Sequence, residues 1–221
     1  MAMLDARVSL KPFDYPWAVE ALKKQQRVHW LPEEAVMKDD VKDWASRLTP
    51  EERNLGKNIM LLFTQSDMDV GNGYLDHYLA RIKNPELRMM LTTFASAEVL
   101  HIFAYAHLME TLGFSDSDFN GFTQYEAMLA KHDHIQQFKS GTNFDLALTM
   151  ASFGGFIEGL QLFASFIMLL NFQRFGMLKG MGQIVAWSVR DETLHCDSVS
   201  QMHREFCKEY LSPAEMKRMA E

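Results

Sequence analysis

A nearly continuous apolar run over residues 146–170 constrains the fold of this chain more than any other feature. The run is long enough to cross a bilayer as a helix. Glu158, however, stands in its middle, and Gln161 follows one turn later. Because a central glutamate is costly in lipid, the sequence favours a buried core helix that uses Glu158 over a membrane span.

The rest of the chain also shows helical patterning. Its apolar stretches are long and follow helical spacing, which predicts an all-α fold. Thr49-Pro50 and Asn84-Pro85 are typical helix starts, and Gly113 is a typical helix end. Four long helices are predicted, over about residues 50–82, 85–112, 143–173 and 177–210. Shorter helices are predicted over 17–25, 38–46 and about 115–130, with a connector over 131–143 and a last turn after Pro213.

Length and composition indicate one cytoplasmic domain. We expect residues 1–221 to form a single helical bundle, with an irregular N-terminal segment over about 1–48 and the bundle over about 49–211. The net charge of −7 argues against nucleic acid or an anionic membrane surface as a partner. Two cysteines do not suggest a disulfide framework, and the N-terminus has no apolar secretory segment, so a reducing cytoplasm is expected.

Two segments place a glutamate and a histidine three residues apart: Glu98 with His101, and Glu192 with His195. Residues i and i+3 share one face of a helix, so each pair can bind one metal ion. A single pair of this kind arises easily by chance and is usually an ordinary surface pair. Two pairs on separate long helices are more informative.

The other two long helices each carry one acid within an otherwise apolar stretch: Asp67 on the first and Glu158 on the third. One acid from each of two helices, with a Glu-x-x-His pair from each of the other two, is the ligand set of dimetal carboxylate bundles. Four buried carboxylates alone would be very costly, whereas two divalent ions neutralise them. Oxygen-rich ligands with two imidazoles favour iron or manganese over structural zinc. The predicted ligands are Asp67, Glu98, His101, Glu158, Glu192 and His195.

Tyr105 follows His101 by four residues and therefore lies on the same helical face. Its phenol is expected near the metals, either as a redox-active group or as a core tyrosine with a satisfied hydroxyl.

Two further sets of residues are weaker candidates for metal ligands. His132 and His134 resemble a metal clip but fall in the predicted connector, where solvated side chains are expected. Asp69 would point about 200° away from Asp67 on a helix, so the two cannot bind one centre.

Several motifs together resemble the small, radical-generating subunit of class I ribonucleotide reductase. The resemblance extends from Trp30 to about Cys207. It rests on Gln65-Ser66-Asp67, Glu98-x-x-His101-x-x-x-Tyr105, Ile157-Glu158-Gly159 and Arg190-Asp191-Glu192-x-x-His195-Cys196-Asp197. The gaps between the candidate ligands also fit the family. The resemblance implies a ferritin-like bundle with a dimetal centre between four long helices.

The resemblance also implies a role for each matched residue. One metal, nearer Tyr105, would be held by Asp67, Glu98 and His101. The other would be held by Glu158, Glu192 and His195, and one or more carboxylates would bridge the two metals. Tyr105 matches the radical tyrosine of the family, and Trp30 matches the tryptophan that conducts electrons toward the large subunit. Asp191 would link His101 to Trp30 through hydrogen bonds and so fix the orientation of the imidazole.

The function implied by the family is radical generation for nucleotide reduction. Two metal ions per chain would react with oxygen, with iron favoured and manganese or a mixed Mn/Fe pair as alternatives. A large-subunit partner would use the radical to reduce ribonucleotides to deoxyribonucleotides. The resemblance further implies a homodimer.

Three features depart from the family pattern. The sequence stops at Glu221, roughly a hundred residues before relatives usually end, which predicts a fragment, a truncated product or half of a split subunit. Leu162 and Phe166, one and two turns after Glu158, stand where many relatives carry two phenylalanines, and Ser188, one turn before Glu192, stands where an aliphatic residue is common. Some related subunits keep a tyrosine yet store the oxidising equivalent on manganese, so Tyr105 alone does not place the radical.

Two other functions are compatible with the same six ligands. One is a ferritin-like dimetal oxidase that acts on a small or lipid substrate without a large subunit. Such an enzyme needs an open cavity at the metals and has no need of the conduit implied by Trp30 and Asp191. The other is a non-enzymatic metal-storing or structural bundle, against which Tyr105 and the Arg190-Asp191 pair argue.

Overall fold

A computed structural model describes residues 2–220 of the chain, and over that range it contains helices and no strand. The all-α prediction is confirmed. The helices are α1 (Pro16–Arg27), α2 (Lys38–Ser46), α3 (Pro50–Gly73), α4 (Pro85–Thr111), α5 (Glu126–Ile135), α6 (Asn143–Arg174), α7 (Lys179–Tyr210) and α8 (Pro213–Ala220). Helix α3 runs on through a π-helical turn, Tyr74–Tyr78, and a short piece, Leu79–Arg81. Short 3₁₀ helices cover Pro32–Glu34 and Asp116–Gln124.

The predicted starts of α3 and α4 are confirmed by their caps. Thr49 and Glu52 form a reciprocal capping box, with backbone-to-side-chain hydrogen bonds of 2.8 and 3.2 Å. The Asn84 side chain accepts hydrogen bonds from the backbone of Glu86 and Leu87. Gly113, which follows α4, has a φ of 92°, a conformation that glycine adopts at little cost.

The connector predicted over residues 131–143 is partly wrong, since α5 continues through its first five residues. His134 is exposed, as expected. His132 is not simply solvated, because its Nδ1 lies 3.0 Å from the Asp69 carboxylate on α3. This contact between distant parts of the chain extends the helix beyond the point that the local polar composition suggested.

A layer of polar side chains divides the interior of the bundle into two apolar clusters. On α3, Phe63 belongs to one cluster and Tyr74 to the other. On α4 the order is reversed, with Phe94 in the cluster of Tyr74 and Tyr105 in the cluster of Phe63. Helices α3 and α4 therefore run in opposite directions past the layer. The candidate ligands lie within this layer.

Helices α4 and α6 are both long and apolar enough to cross a membrane, judged by length and composition. Core helices of soluble proteins meet the same criteria. Glu98 and His101 on α4 and Glu158 on α6 are 0% exposed in the bundle interior. The prediction of a buried core helix around Glu158 is therefore confirmed.

Helix α2 holds the start of α7 in place. The fully buried carboxylate of Asp40 accepts hydrogen bonds from the backbone N–H groups of Gly180 and Met181, at 3.0 and 2.6 Å. Asp43 accepts a third, from Leu178. These carboxylates satisfy N–H groups that the first turn of a helix leaves unpaired. The N-terminal segment therefore helps to position the helix that carries Glu192 and His195.

Candidate metal centre

Four long helices bring the six candidate ligands to one level of the bundle. Helix α3 contributes one acid, α4 a Glu-x-x-His pair, α6 one acid and α7 the second pair. Every one of the six is at least 98% buried; they are Asp67, Glu98, His101, Glu158, Glu192 and His195. Side chains separated by up to 128 positions in sequence thus converge on one enclosed site.

The ligand atoms form two overlapping groups, in each of which the atoms lie within 4.8 Å of one another. The groups are Asp67, Glu98 and His101, and Glu98, Glu158, Glu192 and His195. Glu98 belongs to both. The His195 Nδ1 atom is 2.8 Å from a Glu98 oxygen, and the His101 Nδ1 atom is 3.0 Å from a Glu192 oxygen. Glu98 and Glu192 therefore each lie close to both imidazoles.

The donor atoms fit a pair of metal ions. The short N···O contacts are poorly aligned for hydrogen bonding, so each of the six residues keeps at least one fully buried N or O atom without a hydrogen-bond partner. Unsatisfied buried polar atoms are costly, and carboxylates are the most costly of them. Two divalent ions would satisfy these atoms and neutralise the four carboxylates at once.

The charges of the metal-free cluster are balanced by protons. Burial raises the pKa of Asp67 and of Glu158 well above the usual range, and neighbouring carboxylates raise both further. Burial alone would lower the pKa of His195, but the adjacent Glu192 and Glu98 carboxylates raise it to about 10. Without metal, the site therefore holds protons on acids and imidazoles, and metal binding would displace them.

Glu158 lies on a π-helical stretch of α6, Ala151–Leu162, where sequence patterning predicted only regular helix. Two glycines there allow α7 to pack closely. A Cβ on Gly154 would stand 2.6 Å from Val199, and one on Gly159 would stand 2.9 Å from the Cys196 sulfur. The wider π-turn and the close approach together bring the Glu158 carboxylate into the layer. π-Helical segments occur frequently at functional sites.

Tyr74 is a residue of the site that sequence reasoning missed. Its hydroxyl donates a 2.8 Å hydrogen bond to Glu158 Oε1, and its side chain is almost fully buried. The bond leaves Oε2 of Glu158 free for a metal. Tyr74 follows Asp67 by seven residues, and this spacing, two helical turns, could have indicated that both face the same site.

Tyr105 lies in a closed pocket beside the cluster. Its hydroxyl donates a 3.1 Å hydrogen bond to Ser188 Oγ, so the structure places the serine hydroxyl against the phenol. Phe63 stacks on the ring with centroids 4.8 Å apart, and Leu162 is fully buried nearby in the same apolar cluster. Burial raises the pKa of Tyr105 far above 10, and the charge of Asp67 raises it further. The phenol therefore stays protonated.

Asp191 connects the cluster to Trp30. Its Oδ2 atom accepts a 2.8 Å hydrogen bond from the Trp30 indole and lies 3.3 Å from His101 Nε2. Trp30 also packs against Trp187, with ring centroids 5.0 Å apart, a neighbour that sequence reasoning did not single out. Burial would raise the pKa of Asp191, but the hydrogen bond from His101 lowers it overall, so Asp191 is ionised. An ionised Asp191 directs Nδ1 of His101 toward the cluster.

Asp69 takes no part in the cluster, as its helical position predicted. Its buried carboxylate accepts hydrogen bonds from Gln65 and Gln136 and contacts His132. Asp69 therefore differs from the six converging residues, because its carboxylate has hydrogen-bond partners outside the cluster.

Comparison with known proteins places this chain in a family. The family model described as ribonucleotide reductase, small chain, matches residues 7–221. The chain belongs to the ribonucleotide reductase small chain family. A ribonucleoside-diphosphate reductase small subunit of Invertebrate iridescent virus 6 is 40% identical over 95% of this chain and 62% of its own length. The beta subunit of Chlamydia pneumoniae is 28% identical over 84% of this chain and 58% of its own length. The chain thus spans about three fifths of the length of these curated relatives.

Solved structures show the fold of the family. The ribonucleotide reductase R2 subunit from Clostridium botulinum superposes with a TM-score of 0.83 at 20% identity, covering 93% of this chain and 68% of that one. An R2-like ligand-binding oxidase from Sulfolobus acidocaldarius superposes with a TM-score of 0.77 at 18% identity, covering 94% and 79%. Both likenesses support the predicted ferritin-like helical bundle.

Replacing Glu158 by alanine is expected to remove one or both metal ions, because Glu158 is the only candidate ligand that α6 contributes among the described residues. Metal content per chain after loading with Fe(II) or Mn(II) measures the effect. Asp69→Asn is the matched control, since Asp69 is buried but bonded elsewhere. Two metals per chain in Glu158→Ala would contradict the ligand assignment.

The metal-free chain is expected to lose stability as pH rises from about 4 toward 10. The folded-state pKa values of Asp67, Glu158, His101 and His195 all lie above their usual values, so folding favours the protonated forms. These groups contribute their full stabilisation when the pH is below the pKa of the unfolded chain, about 4 for carboxyls and about 6.5 for histidine. The stabilisation is lost as the pH rises through the higher pKa values of the folded chain.

Thermal unfolding followed by circular dichroism across this pH range measures the dependence, with chelator and with Mn(II). Bound metal should flatten the curve because it replaces the protons. Glu158→Gln should weaken the dependence of the chelated protein, since it removes one titrating group. A chelated chain whose melting temperature is constant or rises over the range would show that these protons do not stabilise it.

Proposed function

We propose that this chain is the radical-generating small subunit of a class I ribonucleotide reductase, which acts with a large subunit to reduce ribonucleotides to deoxyribonucleotides. The observation that carries the proposal is the presence of two redox-capable side chains beside one buried cluster. Tyr105 lies within the electrostatic influence of Asp67, and Trp30 is joined to His101 through Asp191. Both belong to the same apolar cluster on one side of the polar layer. Family membership supports the assignment.

The proposed centre holds two metal ions per chain. Asp67, Glu98 and His101 would hold one, and Glu158, Glu192 and His195 the other, with Glu98 shared. Iron is the favoured metal, with manganese or a mixed Mn/Fe pair as alternatives; R2-like ligand-binding oxidases of the same fold carry a reconstituted Mn/Fe cofactor. The metals, when bound, supply one-electron oxidising power from oxygen. Burial of every ligand keeps bulk water away from that chemistry.

The protein fixes the orientation of the Tyr105 hydroxyl. Ser188 Oγ accepts its hydrogen bond at 3.1 Å, and the Ser188 hydroxyl in turn donates to the Ile184 carbonyl at 3.2 Å. A neutral serine is too weak a base to remove the phenolic proton, so this hydrogen bond orients the O–H and leaves the proton on the phenol. Phe63 and Leu162 complete a dry wall around the ring.

The protein also provides a path for an electron between the cluster and Trp30. Asp191 accepts a hydrogen bond from each end of this path, so its charge holds the indole and the imidazole in fixed positions. Arg190 places its guanidinium 3.3 Å from the other Asp191 oxygen. A self-contained oxidase would have no use for this link. We further propose a cytoplasmic homodimer, as the family resemblance implies.

Tyr105→Phe is expected to abolish a tyrosyl radical signal in electron paramagnetic resonance after the metal-loaded chain is exposed to oxygen. The phenylalanine cannot lose a phenolic proton, but it preserves the shape of the pocket. Tyr78→Phe is the control, because Tyr78 is fully buried and its hydroxyl has no hydrogen-bond partner among residues 2–220. A signal that persists in Tyr105→Phe, or one that disappears in Tyr78→Phe alone, would exclude Tyr105 as the carrier.

Trp30→Phe is expected to leave metal content and any radical signal unchanged while reducing ribonucleotide reduction with an added large subunit about a hundredfold, equivalent to about 2.7 kcal/mol. The substitution removes the indole N–H that bonds to Asp191. Trp44→Phe is the control, because Trp44 is a residue of α2 whose ring packs against Phe114. The oxidase function would be favoured instead if the chain bound no large subunit and consumed oxygen with an organic substrate on its own.

A further inference from the structure

A second group of metal-binding side chains lies where α8 packs against α7. His203 and Cys207 are four residues apart on α7 and share one face, and Met219 reaches them from α8. The His203 Nε2 atom is 3.3 Å from Cys207 Sγ and 3.4 Å from Met219 Sδ. None of the three residues belongs to the carboxylate–histidine cluster.

Hydrogen bonding would satisfy this group only weakly. If Nε2 of His203 accepts the Cys207 thiol hydrogen, it has none to donate to Met219. If Nε2 carries a hydrogen, it reaches both sulfurs only as one shared donor, and thiol and thioether sulfur are weak acceptors. A single ion between the atoms would bind all three.

The separations fit a shared ion. Zinc has a filled d shell and binds imidazole nitrogen at about 2.0 Å and cysteine sulfur at about 2.3 Å. Two such bonds at a tetrahedral angle place the nitrogen and the sulfur about 3.5 Å apart. The observed separations of 3.3 and 3.4 Å need only a small rearrangement. The imidazole nitrogen thus lies, from the thiol and from the thioether, at close to the separation of two ligands of one metal.

The chemistry of these ligands selects the ion. Thiolate and thioether sulfur are soft ligands and favour Cu(I). Cu(I) with one thiolate is electrically neutral, which suits a site whose groove is lined by Arg204 and Lys208. A divalent ion on the same ligands would leave a net positive charge beside these two cations.

We propose that His203, Cys207 and Met219 form a binding site for one Cu(I) ion. The site opens into a groove of about 440 Å³ between α7 and α8, through which an ion can enter. Burial raises the pKa of the Cys207 thiol, so the free site holds a thiol, and Cu(I) binding releases its proton to solvent. The bound ion would tie α8 to α7 by ligand bonds from both helices.

The test uses the whole chain, first loaded with Mn(II) to fill the carboxylate–histidine cluster. Cu(I) is added without oxygen as its acetonitrile complex, in competition with bicinchoninate. One Cu(I) per chain is expected, with a near-ultraviolet absorption from thiolate-to-metal charge transfer. Loss of a supporting residue around a metal site costs about 10- to 100-fold in affinity, so loss of a direct ligand in Cys207→Ser or Met219→Leu should cost at least about 100-fold.

Two matched controls should retain Cu(I) binding. Cys196→Ser removes the other cysteine of the chain, and Met216→Leu removes a methionine that lines the same groove. Glu158→Ala should also retain it, so failure of the proposed dimetal centre would be seen separately. Circular dichroism confirms that each variant is folded. Absent Cu(I) binding, unchanged affinity in Cys207→Ser, or preference of these ligands for Zn(II) would each overturn the proposal.

Discussion

The structure depends on how four carboxylates and two imidazoles are neutralised in the interior of a helical bundle. Each of the six side chains is almost fully buried, and each retains a polar atom without a hydrogen-bond partner. Apolar clusters close the site on both sides along the bundle. Because isolated charges are so costly there, the layer must hold either protons or metal ions. The fold and the chemistry of the site are therefore linked by the same charge balance.

Hydrogen bonds around the cluster determine which atoms remain available to metals. Tyr74 occupies one oxygen of Glu158, and Asp191 occupies the outer nitrogen of His101. In each case the partner fixes the side chain while the other polar atom faces the cluster. Asp191 has a second role, since it also accepts from the indole of Trp30. One buried carboxylate thus orients a candidate ligand and joins the site to the candidate electron path.

The chain offers two chemically different sets of candidate metal ligands. The carboxylate–histidine cluster is hard, anionic and enclosed, which suits iron or manganese. The group formed by His203, Cys207 and Met219 is soft, carries at most one negative charge and opens on a groove. Ligand type would therefore keep the two kinds of ion apart without any physical barrier between them. Both groups draw ligands from α7, at positions separated by about two turns.

The helical class, the caps that start α3 and α4, and the six converging residues could all be predicted from the amino-acid sequence. These features follow from short-range rules: helical periodicity, capping chemistry, and the i to i+3 spacing of Glu98 with His101 and Glu192 with His195. The same spacing correctly separated Asp67 from Asp69.

Other features arise from packing between helices and could not be predicted from local sequence. The π-helical stretch around Glu158 accompanies the close approach of α6 to α7 at Gly154 and Gly159, and no local pattern encodes the position of a neighbouring helix. The extension of α5 toward Asp69 and the contact of Tyr74 with Glu158 have the same origin. Helical spacing states which side chains share a face, but only packing determines what that face meets.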